Sequence, residues 1–343
     1  MTPGSGAGSG LPILGIETSC DETAAAVVRD GVDVASSVVS SQVDLHARFG
    51  GVVPEIAGRA HLDLLGPVVA EALIEAGIAP EAGELRAVAA TIGPGLIGSL
   101  LVGVSAAKAY ALAWGVPFVG VNHLEAHLYA AFLEEPDLPL PLVVLLVSGG
   151  HTLLVLMEGR GRYRLLGQTI DDAAGEAFDK VARVLGLGYP GGPVIESVAA
   201  AGDPTAIAFP RGLRDEGYDF SFSGIKTSVV HYVRKHPDVS AADVAASFQE
   251  AVVDVLVTKA RRAAAAVGAV GICIGGGVAA NGPLRERVLD ACIADGLRAF
   301  LPSRSLCTDN AAMIAAAAHW RLESDGPTSL DCGAYPNLRL PAL

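Results

Sequence analysis

The segment HLEAHL, residues 123–128, sets two imidazoles four positions apart. On a helix such positions differ by about 40°, so His123 and His127 share one face and form half of a divalent-metal site. Two histidines on a partly buried helix face give the same spacing without any ion. A protease of the H-E-x-x-H kind keeps its glutamate directly after the first histidine. Here Glu125 stands two places on, about 200° around the helix, and cannot lean over the same ion. A third ligand must come from elsewhere. LCTDNAAMIA, residues 306–315, puts Asp309 and Asn310 just ahead of an alanine-rich helix. Asp309 either completes a set of two histidines and one carboxylate, suited to iron(II) or zinc, or caps that helix.

Three glycine-bearing turns suggest a second kind of site. LVSGGHT turns between two strands, and glycines there let backbone amides come close to a phosphate. CIGGGVAANGPL runs from a strand into a helix whose first amides can take an anion. YPGGPVIES opens another helix. Tight turns use glycine regardless of ligands, but three of them at α/β connections point to nucleotide binding. No Walker lysine pattern and no G-x-G-x-x-G opening the first helix is present, which excludes a P-loop enzyme and a dinucleotide dehydrogenase.

Periodicity shows the elements that must position these residues. PILGIET, AAAVVRD and VASSVVS read as three strands, followed by a helix from PEIAGRAH to about residue 77. A strand at AVAATIG, a helix from about residue 97, a strand at PFVGV and the two-histidine helix come next. The proline-rich EEPDLPLP, residues 134–141, interrupts the pattern, and then the order starts again. LVVLLVS, TLLVLME and RYRLLGQ are strands; helices follow around 174–186 and 224–266, then a strand at VGICIGG and a helix from NGPLRERVL. Two α/β lobes with a cleft between them are expected, with ligands in the cleft.

At 343 residues, 51% hydrophobic and 18% charged, the chain is globular. Its formal net charge of −13 repels polyanions, so an RNA substrate must meet a local basic patch or a partner protein. Arg285 and Arg287, or Lys259, Arg261 and Arg262, are candidate contacts, although such charges commonly solvate helix faces. The cysteines, 20, 273, 292, 307 and 332, form no C-x-x-C pair and read as free thiols of a reducing cytoplasm. The glycine-serine start lacks the signal-peptide pattern and reads as a flexible leader over residues 1–10. The apolar stretch 100–121 contains Lys108 and is broken by WGVP, leaving a helix of about ten to fifteen residues, short of the ~20 that span a bilayer. No membrane association is expected.

HLEAHL, LLVSGGHT, DDAAGEAFDK, YPGGP, FSFSGIKT, GGVAANGPLR and CTDNAAMIA, in this order, closely resemble the TsaD (Gcp/Kae-type) family of tRNA N6-adenosine threonylcarbamoyltransferases. The similarity runs from about residue 12 to about residue 335 and implies a duplicated actin/sugar kinase/Hsp70 ATPase-like (ASKHA) α/β fold around a nucleotide cleft. It implies a first lobe over 11–137, with a C-terminal helix over 310–343 packing back on it, and a second lobe over 138–309. Members move the threonylcarbamoyl group from threonylcarbamoyl-AMP to the N6 amine of adenosine 37 in tRNAs reading ANN codons, and AMP leaves. The resemblance implies that His123, His127 and Asp309 hold iron(II), or zinc. It implies that Leu146, Val147, Ser148, Gly149 and Gly150, with Asp179, Gly192, Glu196 and Asn281, line the acyl-adenylate. Asp179 and Asn281 would also serve as ordinary helix-end residues. Glu17 and Asp21 are candidates to receive the amine proton. The family implies partners as well: a TsaB-like pseudo-ATPase, a TsaE-like ATPase, and TsaC making the donor. Ala126 stands where glycine is frequent and Gln168 where glutamate is common, so Gln168 is given no acid-base role. The rivals are an ASKHA-fold ATPase or small-molecule kinase, which has no use for the histidine pair, and the disfavoured metalloprotease.

Overall fold

The structure is a computed structural model that describes residues 10–79 and 84–340. The leader expected at the N-terminus lies, but for residue 10, outside the described residues. The described residues divide into two compact units, one of 10–44, 52–79, 84–138 and 309–340 and the other of 45–51 and 139–308.

The first part of the chain forms β1 (Ile13–Glu17), β2 (Glu22–Arg29), β3 (Asp33–Ser41), a short α1 (Val43–Ala47), α2 (Pro54–Glu75), β4 (Ala87–Gly93), α3 (Ile97–Trp114), β5 (Phe118–Asn122) and α4 (His123–Tyr129). Its five strands are ordered β3-β2-β1-β4-β5. The β1–β2 and β2–β3 pairs are antiparallel, whereas β1–β4 and β4–β5 are parallel. The second unit repeats the plan with β6 (Leu142–Val147), β7 (Thr152–Gly159), β8 (Arg162–Gln168), α5 (Ala174–Val184), α6 (Gly191–Ala199), α7 (Ser223–Lys235), α8 (Ala241–Val267), β9 (Gly271–Gly275), α9 (Gly282–Asp295), β10 (Arg298–Phe300) and α10 (Arg304–Cys307). Its sheet runs β10-β9-β6-β7-β8. The final helix, α11 (Ala311–Ser324), belongs to the first unit.

The α/β class and the repeated strand plan agree with the sequence, but three helix extents differ. α3 has 18 residues, because it begins at Ile97, ahead of the apolar stretch at 100; it ends where WGVP breaks it, at Gly115 in the left-handed conformation. It is long and apolar enough to cross a membrane by length and composition. Ser99, Leu100, Gly103, Val104, Ala107 and Ala111 are buried, so one face of it is part of the first unit's core. The region 224–266 is two helices, α7 and α8, separated at Pro237, which cannot continue a hydrogen-bond ladder. The helix expected over 310–343 ends at Ser324, ahead of Gly326 with φ +78° and Pro327.

Packing of α11 matters most for the site. Gly15 on β1 has no room for a side chain, since an added Cβ would sit 2.8 Å from the Ala315 nitrogen. The alanines at 311, 312, 315 and 316 are fully buried, so helix and strand approach backbone to backbone. That approach brings the residues preceding α11 beside the end of β1.

Candidate metal centre and glycine-rich turns

α4 begins directly after β5. Asn122 caps it, its Oδ1 accepting from the amides of Leu124 (2.9 Å) and Glu125 (3.2 Å). This cap fixes the first turn, and His123 and His127 lie one turn apart with ring centroids 4.8 Å from each other. Ahead of α11 the capping role falls to Asn310, whose Oδ1 accepts from the Met313 amide at 3.0 Å. Asp309 instead turns its carboxylate to the histidines: Oδ1 lies 3.5 Å from His123 Nε2 and 3.3 Å from His127 Nε2. One ligand atom from each of the three lies within 4.8 Å of the others.

These residues fit a divalent ion. Both ring nitrogens of His127 are buried, and apart from the 3.3 Å approach of Asp309 Oδ1 to Nε2 neither meets a hydrogen-bond partner. Such nitrogens are costly unless something else takes their lone pair. Burial lowers the His127 pKa, with the Asp309 carboxylate opposing, so the ring is neutral, as a ligand must be. Carboxylates also crowd the place. Glu22 is pushed up to about 9 by burial and by the charges of Asp309 and Asp21. A cation relieves that crowding.

Behind His123 stands a second layer. Glu17 Oε2 accepts from His123 Nδ1 at 3.0 Å and from Thr91 Oγ1 at 2.6 Å, while Glu17 Oε1 accepts from the Ser19 amide at 2.5 Å. Ser19 Oγ is 3.3 Å from the same Nδ1. Burial alone would raise the Glu17 pKa, but the His123 charge and these hydrogen bonds bring it below the usual value. For His123 burial opposes the charged form, yet Asp309 and Glu17 carry its pKa up to about 9. With Nδ1 engaged by a carboxylate, Nε2 is the nitrogen presented to an ion.

The turn after β1 is itself held. Leu96 N donates to the Ser19 carbonyl at 2.8 Å and Thr18 Oγ1 to the Ser99 carbonyl at 2.9 Å. His61 on α2 is fully buried, with Nε2 3.0 Å from the Cys20 carbonyl and Nδ1 2.8 Å from Thr23 Oγ1. Asp21 is 8% exposed and hydrogen-bonded to Glu22. Thr91, Ser19, Glu22 and His61 were not singled out from the sequence. Only ETSCDET, with its polar residues in an otherwise apolar hairpin, gave a signal for any of them. Glu125 is occupied elsewhere: it is 2% exposed and paired with Arg321 Nε at 2.6 Å, so it is not the base that an H-E-x-x-H protease uses.

The second unit carries the glycine turns. Leu146 and Val147 are buried strand residues, so only the backbone of this segment is available to a ligand. Ser148 closes the turn, its amide donating to the His151 carbonyl at 2.8 Å and its carbonyl accepting from Gly175 at 3.2 Å, at the start of α5. Gly276, φ +84°, abuts this turn, and a Cβ there would lie 2.5 Å from the Val147 carbonyl oxygen. Gly149, Gly150, Gly192 and Gly277 differ: an added Cβ would meet nothing within 4 Å, and their φ values are ordinary. Neither packing nor backbone conformation calls for glycine at these positions, and open space over bare backbone is what a close-lying ligand needs. Asp179 Oδ1 accepts from the Gly191 amide at 2.7 Å and fixes the start of α6. Glu196 accepts from Asn281 Nδ2 (3.2 Å) and the Gly282 amide (3.1 Å). Asn281 also donates to Gln249 Oε1 (2.8 Å) and caps α9 through Leu284 N (3.0 Å). Hydrogen bonds therefore link Glu196 and Asn281, and Asp179 ties α5 to the first turn of the helix that carries Gly192 and Glu196.

Fold and site together define a class: an α/β protein of two similar five-stranded units, with two histidines and one carboxylate gathered in the first and glycine-rich turns in the second. Solved structures share the fold. HypF of T. kodakarensis superimposes with a TM-score of 0.64 at 15% identity, over 92% of this chain and 49% of that one. Component A of the Acidaminococcus fermentans (R)-2-hydroxyglutaryl-CoA dehydratase gives 0.55 at 14%, over 92% and 100%. Both are ASKHA-type folds. A family profile described as "TsaD: tRNA N6-adenosine threonylcarbamoyltransferase" matches residues 33–316. The tRNA N6-adenosine threonylcarbamoyltransferase of Symbiobacterium thermophilum is 56% identical over 96% of each chain. The chain belongs to the TsaD family.

Proposed function

We propose that this chain transfers the threonylcarbamoyl group of threonylcarbamoyl-AMP to the N6 amine of adenosine 37 in tRNAs reading ANN codons, releasing AMP. Family membership supports the reaction, and one observation carries the chemistry: His123, His127 and Asp309 bring their ligand atoms within 4.8 Å of one another. Two imidazoles and a carboxylate with positions left open suit iron(II), with zinc the alternative. An ion bound there supplies Lewis acidity for the carbamoyl carbonyl.

The donor is a mixed anhydride, so its leaving group is already good, and the protein's task is position and charge. Glu17 holds His123 by Nδ1 and has both oxygens engaged, which suits a positioning role. Asp21 is the carboxylate left to receive the amine proton. Leu146 to Gly150 offer backbone to the adenylate, and the amides of Gly149, Gly150 and Gly275–Gly277 steady the phosphate. Asp179, Gly192, Glu196 and Asn281 shape the nucleoside end, with Glu196 held to Asn281 and Asp179 to the Gly191 amide.

The partners we propose are a TsaB-like pseudo-ATPase and a TsaE-like ATPase, in the cytoplasm. Ile97, Leu101 and Leu112, all exposed along α3, support a protein partner. The test is transfer in the reconstituted system with donor, tRNA and partners, followed by nucleoside digestion. Threonylcarbamoyladenosine forming in step with AMP, and lost in His123→Ala, is the expected result. A digest without it, or full transfer by a metal-free His123→Ala, would overturn the proposal.

A further inference from the structure

An RNA-modifying chain with a formal net charge of −13 meets its substrate through a partner protein or through a local patch of cations without acids among them. The basic residues that the sequence offered for this are engaged within the protein. Arg261 pairs with Asp295 (2.6 Å) and Arg287 with Glu250 (2.8 Å). Lys259 is buried, donating to the Glu216 carbonyl at 2.6 Å, while Arg262 and Arg285 donate to the carbonyls of Arg214 (3.1 Å) and Leu301 (2.9 Å).

Helix α7 is different. SGIKTSVVHYVRK holds Lys226, His231, Arg234 and Lys235 and no acid, and His236 follows it. At about 100° per residue, Gly224, Thr227, His231, Arg234 and Lys235 lie within an arc of roughly 100°. All five are exposed, and the buried Ile225 and Val229 lie outside that arc. Lys226 pairs with Asp172 at 2.7 Å. The acids at the start of the helix are taken: Asp171 accepts from Ser221, Phe222 and Ser223, and Asp172 also holds Lys180. Asp238 is the next acid along the chain. A helix C-terminus favours a cation in its last turn, which accounts for Arg234 or Lys235. It does not account for His231 one turn earlier, or for an exposed face without a single acid on so acidic a chain. An added Cβ on Gly224 meets nothing within 4 Å, so the stripe stays low at that end.

We infer that this face of α7 binds the sugar–phosphate backbone of the RNA substrate, with Arg234 and Lys235 as the principal phosphate contacts. The inference rests on the transferase reading. Contacts of this kind set position and affinity and carry no sequence information, so they govern tRNA binding and leave donor binding alone.

The test compares wild type, Arg234→Glu/Lys235→Glu and Arg234→Lys/Lys235→Arg in the reconstituted transfer reaction, with tRNA, donor and salt varied separately. The charge reversal raises KM for tRNA tenfold or more, with kcat and donor KM unchanged. It also flattens the dependence of log(kcat/KM) on log salt by about 1.5, from ~0.7–0.9 per phosphate contact. The conservative pair behaves as wild type. A reversal variant that keeps its circular dichroism, its tRNA KM and its salt slope overturns the inference. So does one whose only change is a lower Tm, the mark of a helix-end role. Absence of transfer by the wild type instead overturns the transferase reading, and tRNA binding by filter retention then judges the α7 face alone: a retention deficit in the reversal variant supports it and equal retention overturns it.

Discussion

Glu17→Gln separates a positioning carboxylate from a bystander. The side chain is fully buried and accepts from Ser19, Thr91 and His123. The amide keeps one acceptor oxygen but puts an NH2 where a charged oxygen met two donors. Losing charge-assisted bonds of this kind costs about 2 kcal/mol of folding stability. The effect on metal is larger in consequence: removing the partner of a ligating histidine lowers affinity about 10–100-fold, or roughly 1.4–2.7 kcal/mol. A pH signature accompanies it. In the wild type the His123 pKa stands at about 9, so a proton competes with the ion throughout the range below it. Apparent affinity then falls about tenfold for each pH unit below 9. Without the Glu17 charge that competition starts at lower pH, and the gap between the proteins narrows as pH falls from 9 to 7. Chelator competition with cobalt(II), read by its visible absorption across this range, measures both effects. A folded Glu17→Gln protein with wild-type affinity and a wild-type pH profile would refute the reasoning.

The raised His123 pKa also predicts how the metal-free chain unfolds with pH. Its contribution to stability is present in full below about pH 6.5, the unfolded value, and disappears as pH rises through about 9, so urea midpoints should decline across that interval. The glycine turns predict opposite outcomes for two alanine substitutions. Gly276→Ala, strained at φ +84° and crowded by the Val147 carbonyl, loses on the order of 2 kcal/mol or more in denaturant unfolding. Gly149→Ala, with open space and an ordinary φ, unfolds like wild type but raises KM for the acyl-adenylate.

Local spacing made some of the site legible in the sequence. His123 and His127 are four apart on one helix, and the displacement of Glu125 was visible by the same arithmetic. The structure adds that Glu125 is bound to Arg321 across 196 positions. Asp309 reads from the sequence as either ligand or cap, because aspartate caps a helix well; the structure gives the cap to Asn310. Glu17 drew notice only as a carboxylate near a turn, since the hydrogen bond that defines its place joins residues 106 apart. The pairing of the candidate RNA-contacting arginines is hidden for a related reason. Charge type is written in the sequence, but the acids that engage Arg261 and Arg287 arrive from 34 and 37 positions away. The strand plan was legible because alternation and apolar runs are local. The length of α3 reads short because the apolar window begins at residue 100, whereas the helix begins three residues earlier at Ile97; the stop at Gly115 is legible.

The central claim is that one divalent ion sits on His123, His127 and Asp309. Anomalous diffraction from crystals of the metal-loaded chain, recorded at the edge of the ion found by elemental analysis, tests this directly. The account predicts a single peak about 2.0–2.2 Å from both Nε2 atoms and an Asp309 oxygen, with one ion per chain, and its loss in Asp309→Ala. A peak elsewhere, or a stoichiometric ion retained by Asp309→Ala at the same position and with the same affinity, would contradict it.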